Sequence, residues 1–94
     1  MTPIAVVGAG WSGLACALTL LRTGARVVLL DAAHEPGGRA RRVEIALGDR
    51  RYRLDNGQHL MIGAYRDTLA LMRDVGIDPE QALERRRFEL RYAD

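Results

Sequence analysis

A chain of 94 residues is long enough for one small hydrophobic core and too short for a second domain. Its net charge is only +2, with acids interspersed among the basic residues, so it lacks the one-sided basic face that nucleic acid requires, and no nucleic-acid partner is expected. At 48% hydrophobic and 28% charged it is composed like a soluble globular protein, and a single cysteine, Cys16, rules out an internal disulfide.

All 14 basic residues are arginine. They cluster between Arg39 and Arg53 and again at Arg85-Arg86-Arg87, with Glu44, Asp49, Asp55, Glu84 and Glu89 among them. This use of Arg without Lys reads as a coding bias rather than a function. No metal site is expected.

Residues 3–7 read as a buried parallel strand, because the run Ile4-Ala5-Val6-Val7 is continuously apolar rather than alternating. Gly8-Ala9-Gly10-Trp11-Ser12-Gly13 follows at once. Residues 12–22 read as a helix, with Leu14, Ala17, Leu18 and Leu21 on one face and Gly24 as its stop. Cys16 is expected on or near the packed side, as a small buried residue. Residues 26–31 form the second strand, Val27-Val28-Leu29-Leu30 ending on Asp31.

Strand, glycine turn, helix, strand and terminal acid in that order are the layout of a dinucleotide-binding βαβ unit. Gly8 permits the tight turn out of the strand. Gly10 has no side chain to keep a pyrophosphate from the backbone, and Gly13 lets the helix pack closely on the strand. The unpaired N–H groups and positive dipole end at the helix start then hold the phosphates, near Trp11 and Ser12. Asp31 is placed to accept from a ribose diol, and its charge disfavours a 2′-phosphate. The Trp11 side chain, which phosphate does not read, is expected to pack on its neighbours or on the loop after Asp31.

The stretch from Ile4 to Leu21 carries no charge, but it is neither a membrane span nor a signal peptide. No basic residue precedes it, glycines interrupt it at fingerprint spacing, and it ends where a helix should, at Arg22-Thr23-Gly24. A cytoplasmic location is expected, with peripheral contact at the inner membrane left open.

Beyond the second strand, His34 beside Glu35 and Pro36 reads as exposed and inert. Gly37-Gly38-Arg39 is a sharp turn with exposed backbone. Val43, Ile45 and Leu47 alternate with Glu44 and Ala46, and Tyr52 and Leu54 alternate with Arg51 and Arg53. With Gly48-Asp49 between them, residues 42–47 and 51–55 predict a β-hairpin. Asp55-Asn56-Gly57 is a further turn. Residues 65–75 predict an amphipathic helix with Leu69, Met72 and Val75 inward. A short helix is expected from Asp78-Pro79-Glu80 to about Arg86, and a weak strand over residues 88–92.

Gly37-Gly38-Arg39 separates two classes of cofactor. A nicotinamide dehydrogenase normally runs from its acid-tipped strand into another helix or strand, whereas here two glycines let backbone lie against the nucleotide and an Arg can neutralise pyrophosphate charge. With Gly8, Gly10, Gly13, Ala17, Gly24 and Asp31, this pattern resembles the FAD-dependent amine oxidase and phytoene desaturase superfamily. Many members carry Ser or Thr three positions beyond the motif's Arg, where this chain has Arg42.

Gly37-Gly38-Arg39-Ala40-Arg41-Arg42, Asp55-Asn56-Gly57-Gln58-His59-Leu60 and Gly63-Ala64-Tyr65 are similar to the squalene-associated FAD-dependent desaturases, the hydroxysqualene dehydroxylases of bacterial hopanoid synthesis.

That resemblance implies an α/β fold. A Rossmann-like FAD-binding βαβ unit covers residues 3–31, a turn and hairpin 37–55 and a helical segment 57–86, as the N-terminal part of a larger flavoprotein. The resemblance implies FAD as cofactor and a bound isoprenoid as substrate, taken from hydroxysqualene to squalene.

Gly8, Gly10, Trp11, Ser12 and Gly13 would then line the pyrophosphate, Asp31 the adenosine ribose, and Gly38 and Arg39 further parts of FAD. Gly57 and Gln58 would bring backbone toward the flavin ring, or form a purely structural turn. His59 is either a structural histidine or the acid that protonates the leaving hydroxyl. Arg85, Arg86 and Arg87 are a solvated face or a contact for anionic lipid. Three other readings stay open: another enzyme of the same superfamily, a nicotinamide-dependent enzyme, and a non-enzymatic carrier with the same fold. The isolated chain is expected to be inactive, and its open sheet edge makes a homodimer one expected state.

Overall fold

A computed structural model describes residues 1–56, 60–63 and 65–93. The elements run β1 (Ile4–Val7), α1 (Trp11–Arg22), β2 (Val27–Leu30), a 3-10 turn (Gly38–Ala40), β3 (Arg42–Leu47), β4 (Arg50–Asp55), α2 (Arg66–Asp74) and α3 (Pro79–Ala82). They divide into two compact units, Met1–Leu60 and Met61–Asp94.

The first unit opens with the expected βαβ. β1 and β2 pair in parallel, with Ile4 opposite Val27 and Val7 opposite Leu30. Gly8 N–H extends the ladder to Leu30 O at 2.6 Å, and Ile4 N–H bonds Arg26 O at 2.8 Å. α1 packs on both strands, and Val6 and Ala17 are buried. The helix closes as its sequence directs. Thr23 is the C-cap, its hydroxyl donates to Leu20 O at 2.7 Å, and Gly24 leaves in the left-handed region at φ +82°.

Several expectations of burial are corrected. The parallel register puts Ala5, Val7, Val28 and Leu30 on one sheet face, and all four are exposed, Val7 to 82%. Two strands carrying a helix on one side leave the other apolar side bare. On α1, Leu14 and Leu21 are exposed, and so is Cys16. Among the described residues the sheet has two strands, so it covers the small residue Ala17 at the centre of the helix face and leaves its flanks open.

β3 and β4 form the expected hairpin, with β4 starting one residue earlier than expected, and pair from Arg42 opposite Asp55 to Leu47 opposite Arg50. Gly48 supplies the positive φ of the two-residue turn, +63°. Alternation sorts the faces: Val43, Ile45, Tyr52 and Leu54 share one side. On the other, Glu44 and Arg53 are opposite each other with Oε1 and Nε 3.4 Å apart.

In the second unit, Met72 on α2 and Pro79 on α3 are buried, while Val75, expected inward, is exposed at the C-cap of α2. Asp78 caps α3 by accepting from Glu80 N–H at 3.0 Å, with Pro79 as first helical residue. The helix ends at Ala82, short of the expected Arg86, because Leu83 turns extended. Three consecutive arginines follow, two of them paired locally, Arg85 with Glu80 and Arg86 with Glu84, both at 2.6 Å. The strand expected over residues 88–92 is not formed. Those residues have no ladder partner among the described residues, and Phe88, Leu90 and Tyr92 are exposed. No described helix is long and apolar enough to cross a membrane.

Candidate nucleotide-binding site

The site is built where β1 turns into α1. Gly8 leaves the strand at φ +101°, a conformation that glycine adopts without a Cβ penalty. Gly10 is the N-cap of α1, in extended backbone, and no side chain caps the helix. The first turn carries no acid either, so its backbone N–H groups and positive dipole end are available to an anion.

Gly13 lies in that first turn against Gly8. A Cβ on Gly13 would collide with the Gly8 carbonyl oxygen and stand 2.8 Å from its carbon. Both partners are backbone, so neither can swing aside. The expected reason for glycine at the third fingerprint position is thus met directly, since helix and strand touch there.

The second glycine pair lies against the first. Gly37 and Gly38 both take positive φ, +118° and +59°, and a Cβ on Gly38 would stand 3.1 Å from Gly10 Cα. Gly37 N–H donates to Ala9 O at 2.7 Å. The Gly37–Gly38 turn and the glycine loop therefore form one surface of bare backbone. Such a surface, beside a helix start, fits the pyrophosphate of a dinucleotide, which needs close backbone approach and N–H donors. Arg39 follows in the 3-10 turn and is exposed, and Arg42 lies 3.9 Å from Glu35, both at the surface.

Asp31 stands at the end of β2. Its Oδ2 accepts from Ala9 N–H at 2.6 Å and its Oδ1 from Ala33 N–H at 2.7 Å. Those two N–H donors, Ala9 foremost, hold its carboxyl below the ordinary aspartate range. Arg41 adds a smaller pull in the same direction, against a partial desolvation cost. The acid expected to serve a ribose is thereby also a ligand of the glycine loop.

Of the residues singled out in the sequence, Gly8, Gly10, Trp11, Ser12, Gly13, Asp31, Gly38 and Arg39 all fall in the unit Met1–Leu60. Trp11 is 41% exposed, so the packing expected for its ring is only partial. Gly57, Gln58 and His59 lie outside the described residues. Ala9, an unspecified position of the fingerprint, is a further residue of the site that residue type alone does not single out. It is 3% exposed and bonded on both sides of its residue, through N–H to Asp31 and through C=O to Gly37. A small apolar residue between two glycines was the available signal.

The family model described as "NAD(P)-binding Rossmann-like domain" matches residues 6–75. Hydroxysqualene dehydroxylase of Rhodopseudomonas palustris is 35% identical over 82 residues, covering 82% of this chain and 19% of that protein. Hydroxyneurosporene desaturase of Cereibacter sphaeroides is 49% identical over 45 residues, covering 48% of this chain and 9% of that protein. Lysine-specific histone demethylase 1 homolog 2 of Oryza sativa subsp. japonica is 37% identical over 75 residues, covering 79% and 10%. The chain thus spans between about a tenth and a fifth of the length of these relatives. The resemblance to the desaturase and amine oxidase superfamily is borne out by these matches.

Proposed function

From the premise that this chain belongs to the NAD(P)-binding Rossmann-like domain family, we propose that it is the FAD-binding part of a flavin-dependent oxidoreductase acting on an isoprenoid. The observation that carries the cofactor is the contact of the Gly37–Gly38 turn with the glycine loop. A minimal dinucleotide βαβ unit ends at its acid-tipped strand, whereas here a second glycine turn is laid on the first and followed by a hairpin.

Each residue has a role in this reading. The N–H groups from Gly10 to Gly13, at the positive end of α1, bind pyrophosphate oxygens. Arg39 neutralises phosphate charge from the second turn. Asp31 retains a second lone pair on each carboxylate oxygen for the adenosine ribose. Gly57, Gln58 and His59 lie outside the described residues; by the resemblance, the first two would serve the isoalloxazine and His59 would be the candidate proton donor to a leaving hydroxyl. Bound at this site, reduced FAD would supply hydride chemistry, the two-electron reduction that replacing an allylic hydroxyl by hydrogen requires, with the hydroxyl and a proton leaving as water.

For the substrate we propose hydroxysqualene, with squalene as product. The Asp55 to Leu60 stretch and the two hydroxysqualene dehydroxylases, 35% and 30% identical over 82 and 74 residues, support it. The match to hydroxyneurosporene desaturase supports a second reading, carotenoid desaturation. The whole protein that carries this chain, reduced chemically and given hydroxysqualene, is expected to yield squalene by mass spectrometry. Unchanged hydroxysqualene with the reduced protein, together with new double bonds in a carotene offered to the oxidised protein, would favour the second reading.

A further inference from the structure

The acid at the end of β2 does more in this structure than wait for a ribose. Its two oxygens hold two backbone N–H groups, one on each side of the loop junction: Ala9 in the glycine loop and Ala33 just past β2. Ala9 in turn accepts from Gly37 N–H at 2.7 Å. Three segments, the glycine loop, the end of β2 and the Gly37 turn, therefore meet at one alanine. Ala9 is 3% exposed, and its N–H has Asp31 as partner rather than solvent. A buried N–H left without an acceptor would be costly, so the loop in this shape depends on an acceptor at position 31.

We propose that Asp31 is a positioning residue for the glycine loop: it braces Ala9 through its N–H while the Gly37 turn braces it through its carbonyl, before any ligand is bound. Two consequences follow. Ala9 N–H is committed to the protein and is no phosphate donor, so an anion at the helix start is met by the N–H groups from Gly10 onward. Gly10, whose close neighbour is Gly38, is held in place through the peptide that precedes it. The value of the brace to nucleotide binding rests on the proposed function, but the brace itself is a property of the protein alone.

The test is made on nucleotide-free protein by backbone amide NMR, so that it stands whatever the protein binds. An amide bonded to a carboxylate changes its proton shift when that carboxylate is protonated. On lowering the pH, the Ala9 and Ala33 amides are expected to shift together with one midpoint, below the ordinary aspartate value of 3.8, and the Gly37 amide to follow with smaller amplitude. In Asp31→Asn, one acceptor remains for two donors. Exchange of the Ala9 and Gly37 amides is expected to quicken by on the order of tenfold, while the Ile4 and Gly8 amides of the ladder keep their protection. Asp31→Glu retains the carboxylate and is expected to restore the common titration.

Ala9 and Ala33 amides that titrate independently, or unaltered Ala9 and Gly37 exchange in Asp31→Asn with the ladder intact, would overturn the proposal. Should Asp31→Asn lose the ladder as well, the titration of the unmodified protein decides alone.

Discussion

Gly13 and the carbonyl group of Gly8 are in contact, backbone against backbone, with no space between them for a side chain. This contact fixes how closely α1 approaches the end of β1, and hence where the helix start presents its N–H groups.

Gly13→Ala is therefore expected to push the helix off the strand. Inserting a methyl into a packed contact that cannot yield costs about 1–3 kcal/mol. A loss of Tm should be accompanied by nucleotide affinity weakened by tenfold or more, measured by calorimetric titration with FAD. Unchanged affinity in a folded variant would separate the contact from the site.

Gly38 and Gly48 share a positive φ, +59° and +63°, but only Gly38 has a neighbour at the place of a Cβ. Left-handed backbone alone costs a non-glycine residue about 1–2 kcal/mol, less for Asn. Gly48→Asn in the open hairpin turn should thus lower Tm slightly and leave FAD binding intact. Gly38→Asn should weaken FAD binding strongly, because its Cβ meets Gly10 Cα at 3.1 Å. Equal effects of the two substitutions would mean that strain, and not the close approach, matters.

Ala17 is buried at the centre of the helix face. Ala17→Leu is expected to destabilise the first unit by about 1–3 kcal/mol through overpacking. Leu14→Ala, at an exposed position on the same face, should cost less than half as much. Thermal melts of the two variants compare them directly.

Acid should weaken the first unit through Asp31. Its folded pKa lies below its unfolded value of 3.8, chiefly because of the bond from Ala9 N–H. The stability it contributes is then complete above the unfolded value and is lost as the pH falls through the folded one. The Tm gap between the unmodified protein and Asp31→Asn should be constant from neutral pH down to about pH 5 and close at lower pH. A gap that closes well above pH 5 would assign the loss to another group.

The order of elements was legible because each carries a local signal. An unbroken apolar run, glycines at fingerprint spacing and an acid after Leu30 define the βαβ unit. Alternation about Gly48-Asp49 defines the hairpin, whose β3 falls on 42–47 as expected. Burial was less legible, since it depends on how many strands and helices surround an element. Val7, Leu14, Leu21 and Cys16 are apolar by sequence, yet nothing in the two-stranded sheet covers them. The end of α3 was misplaced because Leu83 and Glu84 are sound helix formers by propensity, while the backbone turns extended at Leu83. In the site, the glycines and Asp31 were legible from residue type. The Ala9 junction was not, because its partners act through backbone atoms that every residue possesses.

The identity of the nucleotide decides whether this protein works as proposed. The most direct measurement is a visible absorbance spectrum of the whole protein carrying this chain, purified without added cofactor. The account predicts a yellow protein with the two visible bands of oxidised flavin, releasing FAD on denaturation. A colourless protein that binds NAD and not FAD would contradict it.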